Sequence, residues 1–298
     1  MPQRRGAVPI SDAEILSSPD TYARGVPFDR LDRLRAKTPV TWLDGRLDDD
    51  AGSWAVLRYA DVRRALDRPE LFLPVQRGSL HGPSTRGDAS RRGEEAAVAS
   101  MLIDMEPQPG ALLDRVGKEP VDLVREVLGE QPETLRNTLA GGVYALLRNQ
   151  GEYERLRADP GLLDSAVEEM LRWWTPVMWV RRTVRRATEL GGVPLHPDER
   201  VTLWLVAANN DEDVFPEPRR FAPDRFAGGT APRPLHDHLS FGHGVHACLG
   251  ARLARVHLRA LVGAILERPE RLVPAGEPIR LRSSARHGFD RLPVRWTV

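Results

Sequence analysis

The only cysteine of the chain, Cys248, lies in the stretch Phe241-Gly-His-Gly-Val-His-Ala-Cys248-Leu-Gly250, and an apolar helical pattern (Leu249, Leu253, Val256, Leu261, Ile265) follows directly. No other segment constrains the fold as strongly. Glycines at 242, 244 and 250 allow positive φ and close backbone approach, so several N–H groups can converge on one sulfur. The helix behind them adds unpaired N–H groups and partial positive charge. Such a setting is expected to favour thiolate over thiol, and a soft thiolate is a good iron ligand. A lone cysteine is more often a small buried apolar residue, so the assignment depends on the pattern around it.

Composition narrows the class. A chain of 298 residues can form one large domain or two small ones, and 41% hydrophobic content suffices for a core. A net charge of +1 gives no overall field for nucleic acid or membrane surfaces. One cysteine excludes an internal disulfide framework. No apolar run approaches a membrane span, and Met-Pro-Gln-Arg-Arg-Gly at the start lacks the apolar stretch of a signal peptide. The expectation is a cytoplasmic protein with no nucleic-acid partner and no membrane insertion.

Periodicity supplies the elements. Residues 1–20 are polar and read as a flexible arm, with one domain over 21–298. Leu31 and Leu34 mark a helix within 28–37. Strands are expected at Val40–Leu43 and Trp54–Leu57, then a helix over 60–67 ended by Pro69. Residues 77–98, rich in Arg, Gly and Ser, read as a mobile loop. Helices are expected over 132–148, 151–157 and 160–174, with Pro160 near the start of the last. Leu190–Leu195 and Arg200–Leu205 suggest a hairpin across His196-Pro197-Asp198. The fold class is mainly α with small β-sheets (α+β).

The cysteine stretch closely resembles the haem-binding loop of the cytochrome P-450 family, Phe-Gly-x-Gly-x-His-x-Cys-x-Gly. Every fixed position is filled, and Ala251-Arg252-Leu253-Ala254-Arg255 continues as in bacterial members. The resemblance implies haem b as cofactor, with Cys248 as axial iron ligand. Phe241 would shield the sulfur, His246 would hydrogen-bond a propionate, and Gly242 and Gly250 would shape the loop. Two more constellations resemble the family. Glu169-Met-Leu-Arg172 is followed by Phe215-Pro-Glu-Pro-Arg-Arg-Phe-Ala-Pro-Asp-Arg225-Phe226, which implies a structural triad of Glu169, Arg172 and Arg225, with Arg219 and Arg220 close by. Val180-Arg-Arg182-Thr-Val before Glu189-Leu-Gly-Gly192 implies a propionate-binding arginine, Arg182 rather than Arg181 by spacing. By the same resemblance Val177, Met178, Trp179 and Val180 would face a small apolar substrate.

The distal side departs from the family pattern. Glu133 and Thr134 match the acid and alcohol that relay protons to iron-bound oxygen. Upstream, Glu130 and Gln131 stand where Ala-Gly belongs, and Pro132 immediately precedes the acid. Proline is favoured at a first helical position and costs about 3 kcal/mol inside a helix, so the helix is expected to start at Pro132. Residues 120–128 would then be a separate short helix ended by Gly129. Glu133 and Thr134 are therefore either the proton relay or first-turn residues without a catalytic role. Met105-Glu-Pro-Gln-Pro-Gly110 resembles the family's entry to a helix bearing His and Arg, but Gly110 and Asp114 occupy those places. The resemblance is loose over 20–109, close over 133–298, and fails between, leaving an irregular shortened junction at 106–132. It implies a monooxygenase that inserts one oxygen atom from O2, with a ferredoxin or flavoprotein electron donor. The alternative is a non-catalytic or degenerate haem-binding remnant of such an enzyme.

Overall fold

The computed structural model describes residues 11–44, 52–74, 133–228 and 238–297. The mobile loop expected at 77–98 and the junction at 106–132 lie outside them, as do Pro132 and the short helix expected at 120–128.

The N-terminal residues correct one expectation. Ser11 and Glu14 form a reciprocal capping box: the Glu14 N–H donates to Ser11 Oγ at 3.1 Å, and the Ser11 N–H donates to Glu14 Oε2 at 2.9 Å. The cap starts helix α1 (Asp12–Ser17), and α2 (Pro19–Arg24) follows, with proline at its start. Leu16 is fully buried, and the Tyr22 hydroxyl donates to its carbonyl at 2.9 Å. Residues 11–20 are therefore packed, not a loose arm, because one leucine and one tyrosine anchor an otherwise polar stretch.

Helix α3 (Phe28–Lys37) leads into β1 (Val40–Leu43) and β2 (Ser53–Val56), an antiparallel pair. Helix α4 (Tyr59–Leu66) and β3 (Phe72–Pro74) follow. Beyond the undescribed segment come α5 (Glu133–Arg148), α6 (Gln150–Ala158), a 3-10 turn at Pro160–Leu162, and α7 (Leu163–Trp174). Then come β4 (Val180–Val184), β5 (Thr188–Leu190), β6 (Val193–Leu195), β7 (Arg200–Leu203) and α8 (Leu205–Ala208). The chain closes with α9 (Ala251–Leu266), β8 (Arg271–Pro274), β9 (Ile279–Arg280), β10 (Phe289–Arg291) and β11 (Val294–Thr297).

The main sheet has five strands in the order β1-β2-β7-β4-β3, with β2 and β7 parallel. The expected hairpin across 196–198 does not form. Gly191 and Gly192 have φ of 57° and 80° and close a tight β5–β6 hairpin instead, because paired positive φ is what a two-residue turn needs. β7 passes on to the centre of the main sheet, where Val201, Thr202 and Leu203 are all fully buried.

Helices α5, α7 and α9 pack beside the sheet around a cluster including Leu146, Met170 and Leu258. Two glycines let α5 approach both neighbours. A methyl group on Gly141 would overlap the Trp174 indole of α7, and one on Gly142 would overlap Leu258 of α9. Trp174 is also stacked on His287, with ring centroids 3.6 Å apart. Burial holds His287 neutral, its pKa lowered to about 3. Among the described residues no helix is long and apolar enough to cross a membrane.

Gly141→Ala tests this packing by sign. Helix propensity alone favours alanine by about 1 kcal/mol, but overpacking costs about 1–3 kcal/mol, so urea unfolding should show net destabilisation. Acid should act through His287. The unfolded imidazole titrates near 6.5, about as the ordinary side chain does, and the folded one at about 3. Between those values the unfolded chain binds more protons, so stability falls as pH drops. His287→Gln should remove about 1.4 kcal/mol per pH unit of that slope between roughly pH 6 and 4, read from urea midpoints.

Candidate functional site

The cysteine loop is a glycine-shaped turn seated against α4. Gly242 and Gly244 have φ of 70° and 72°, which side chains with a Cβ rarely adopt. A Cβ on Gly244 would also stand 3.2 Å from the Leu66 carbonyl. The loop is closed by the Cys248 N–H donating to the Phe241 carbonyl at 2.8 Å and the Gly242 N–H to Leu239 at 2.9 Å. The Ala251 N–H donates to the Cys248 carbonyl at 3.2 Å, and the backbone of Gly250 and Ala251 acts to lower the thiol's pKa.

Charge state is where the sulfur departs from expectation. Burial pushes the Cys248 thiol up from its ordinary value, while the two N–H groups and the Arg255 guanidinium pull it down by less. The free thiol is therefore not poised as a thiolate. Burial outweighs the helix-start dipoles, and a positive charge placed at the sulfur would favour loss of the proton.

Strand β4 separates the two candidate arginines, because successive residues point to opposite faces. Arg181 lies over the Trp179 ring at 5.3 Å. Arg182 shares its face with Val180 and Val184, which pack into the cluster that includes Leu66 and Leu239 at the base of the cysteine loop. Arg182 is buried, its Nη1 donating to the Arg181 carbonyl at 2.8 Å, and His246 is also buried.

Val177 and Val180 pack on the same cluster and are only partly buried. Met178 and Trp179 do not belong with them. Both are buried in a different cluster with Leu16, Leu31 and Trp204, and the Trp179 indole N–H donates to the Ser284 carbonyl at 2.8 Å. They are core residues here. Apolar character alone does not separate a pocket wall from a core.

The triad is present as a contact set. Arg172 grips Glu169 through Nε at 2.7 Å and Nη2 at 2.8 Å, and Arg225 Nε donates to the same carboxylate at 3.0 Å. Arg219 instead pairs with Asp32 at 2.7 Å and Arg220 with Glu217 at 3.2 Å, so Arg225 is the one of the three that contacts Glu169. Glu133 forms an ion pair with Arg286. Thr134 is exposed, and its carbonyl accepts the Thr138 hydroxyl at 2.8 Å. Arg286 stands opposite Val177 in a short β-bridge, so Glu133 is brought to the edge of the Val177 segment.

The sequence reading passed over Glu168, which is buried beside Glu169 and contacts His238 and Arg255. Two adjacent acids on a helix look like a solvated face. The available signal was the apolar run on all sides of them, Ala166, Val167, Met170 and Leu171.

The family model for cytochrome P-450 matches residues 117–288. The chain belongs to the cytochrome P-450 family. It is 39% identical over 291 residues to the protein named cytochrome P-450 126 of Mycobacterium tuberculosis, a match covering 92% of this chain and 66% of that one. It is 40% identical over 216 residues to a steroid C26-monooxygenase of the same species, covering 70% of this chain and 54% of that one. The chain thus spans from about half to just under two thirds of the length of these relatives. The crystal structure of CYP108D1 from Novosphingobium aromaticivorans superposes with a TM-score of 0.73 at 25% identity, covering 97% of this chain and 99% of that one. This confirms the mixed fold of helices and small sheets.

Haem is the cofactor of this family, and the donor set here fits it. The loop offers one soft sulfur at the start of α9, beside the backbone of Gly250 and Ala251. Arg182 and His246 are buried side chains of the kind that bind carboxylates. The framework behind the loop can be tested directly. Glu169→Gln leaves the Arg172 charge, which is fully buried, without its anion. It should lower unfolding free energy by about 3–5 kcal/mol, measured by denaturant titration.

Proposed function

We propose that this chain is a haem-thiolate monooxygenase with a shortened middle, of cytochrome P-450 type. The observation that carries the reading is the cysteine loop, intact in pattern and held in a closed turn behind a complete Glu169–Arg172–Arg225 triad. Cys248 would hold the iron of haem b, and Phe241 would cover the sulfur. Arg182 and His246 would hold the propionates, and Gly242 and Gly250 would let the loop pass close to the ring. When bound, the haem supplies the oxygen-activating chemistry.

In that reaction one oxygen atom of O2 enters a C–H bond of the substrate and the other leaves as water. Two electrons come from a ferredoxin or flavoprotein donor and two protons from solvent. Val177 and Val180 would contact a small apolar substrate. The relative named as a steroid C26-monooxygenase supports an apolar molecule as substrate. Glu133 would pass protons toward the haem with Thr134, which requires its carboxylate to exchange Arg286 for a proton donor.

A second reading has its own support. Thr134 is exposed and Glu133 is already ion-paired, so the relay is not assembled in the described residues. That favours a haem-binding remnant without turnover. The two readings separate in solution. Reduced protein under carbon monoxide should show the red-shifted Soret band of thiolate-ligated haem, and Cys248→Ser should abolish it. Absence of haem uptake by the unmodified protein sinks both. With haem bound, product formation supports the monooxygenase, whereas peroxide release without product supports the remnant.

A further inference from the structure

A second buried charge cluster ties the cysteine loop to two helices. Glu168 of α7 accepts a bidentate grip from Arg255 of α9, through Nε at 2.7 Å and Nη2 at 2.8 Å. The same carboxylate contacts His238 Nε2 at 3.0 Å. The Ser240 N–H donates to His238 Nδ1 at 3.3 Å, so Nδ1 is the acceptor and Nε2 carries the proton given to Glu168. Burial also holds His238 toward the neutral form, which agrees with that tautomer.

The next residues are strapped to α7 and its surroundings. The Leu239 N–H donates to Asn209 Oδ1 at 2.6 Å, and the Ser240 hydroxyl donates to the Leu171 carbonyl at 2.8 Å. The next residue, Phe241, begins the cysteine turn. The Arg255 guanidinium that grips Glu168 also lies 4.6 Å from the Phe241 ring centroid. The Phe241 carbonyl in turn receives the Cys248 N–H. One carboxylate therefore holds both the start of the loop, through His238, and the cation stacked on its first ring, through Arg255.

We infer that Glu168, His238 and Arg255 are positioning residues that set where Phe241 and the Cys248 turn sit. The inference deepens the haem-thiolate reading, on which its functional meaning rests, but the positioning itself does not require haem. Charge-assisted bidentate pairs hold geometry more tightly than neutral hydrogen bonds. A planar guanidinium can satisfy a carboxylate and face a ring at once, which an ammonium does less well. Outer residues of this kind orient a ligand without touching the metal.

Hydrogen exchange read residue by residue tests this in protein with or without haem. In Glu168→Gln and Arg255→Gln, amides at 240–248 should exchange at least about tenfold faster, while the interiors of α7 and α9 stay within about twofold of the parent. Arg255→Lys, which keeps the charge but loses the fork, should fall between and covers the case in which a Gln variant fails to fold. Equal loss of protection in the loop and both helices would mean a purely structural role and overturn the inference. Unchanged loop exchange would overturn it too. In haem-loaded protein, Arg255→Gln should convert part of the thiolate-type carbonyl band to the thiol-type band at equal haem content, and an unchanged ratio counts against positioning. Failure of the parent to take up haem would instead remove the functional reading while the exchange result still decides the positioning.

Discussion

The buried pair of Glu169 and Arg172 is the interaction on which the rest of the proximal architecture depends. Both side chains are fully excluded from solvent, and taking two charges out of water costs several kcal/mol per ion unless every lone pair and N–H finds a partner. Here each nitrogen and oxygen of the two groups has one. Glu169 receives Arg172, Arg225 and the Ala222 N–H, while Arg172 also donates from Nη1 to the Asn209 carbonyl and from Nη2 to the Pro218 carbonyl. Those partners belong to one irregular segment with no ladder of its own. The ion pair supplies the hydrogen bonds that such a segment otherwise lacks, and it fixes 209–226 against α7.

From that anchor the chain runs to the cysteine loop, and the electrostatics change character. The triad is a closed set of satisfied charges. At the sulfur, burial raises the pKa by more than two backbone N–H dipoles and one nearby guanidinium lower it. The two environments are complementary. The charged network holds position, while burial favours the protonated form of the thiol.

On the other side of α7, small residues do the corresponding work. Gly141 and Gly142 bring α5 into contact with Trp174 and Leu258, so the first turn of α5 is placed by packing further along the helix. That placement brings Glu133 to Arg286 and leaves Thr134 in solvent. The cysteine loop and the Glu169 contact set are thus closed by many hydrogen bonds, while Glu133 is engaged by Arg286 and Thr134 faces solvent at the start of α5. The match to relatives of greater length fits that asymmetry.

Much of the geometry around Cys248 and Glu169 was legible in the sequence because it is local. Glycine conformational freedom around Cys248 and the three-residue spacing of Glu169 and Arg172 act over distances that a few residues span. The helices over 28–37, 132–148 and 160–174 were readable for the same reason, since apolar spacing reports which face is buried. What the tertiary structure decided is whatever depends on residues far apart in the chain. Whether the third triad arginine was 219, 220 or 225, and whether Met178 and Trp179 line a pocket or a core, turned on contacts with Asp32, Leu16 and Ser284. The direction in which the Cys248 thiol shifts is another such case. A sequence displays the dipoles that lower a thiol's pKa, but burial is a sum over the whole fold, and here the sum was larger.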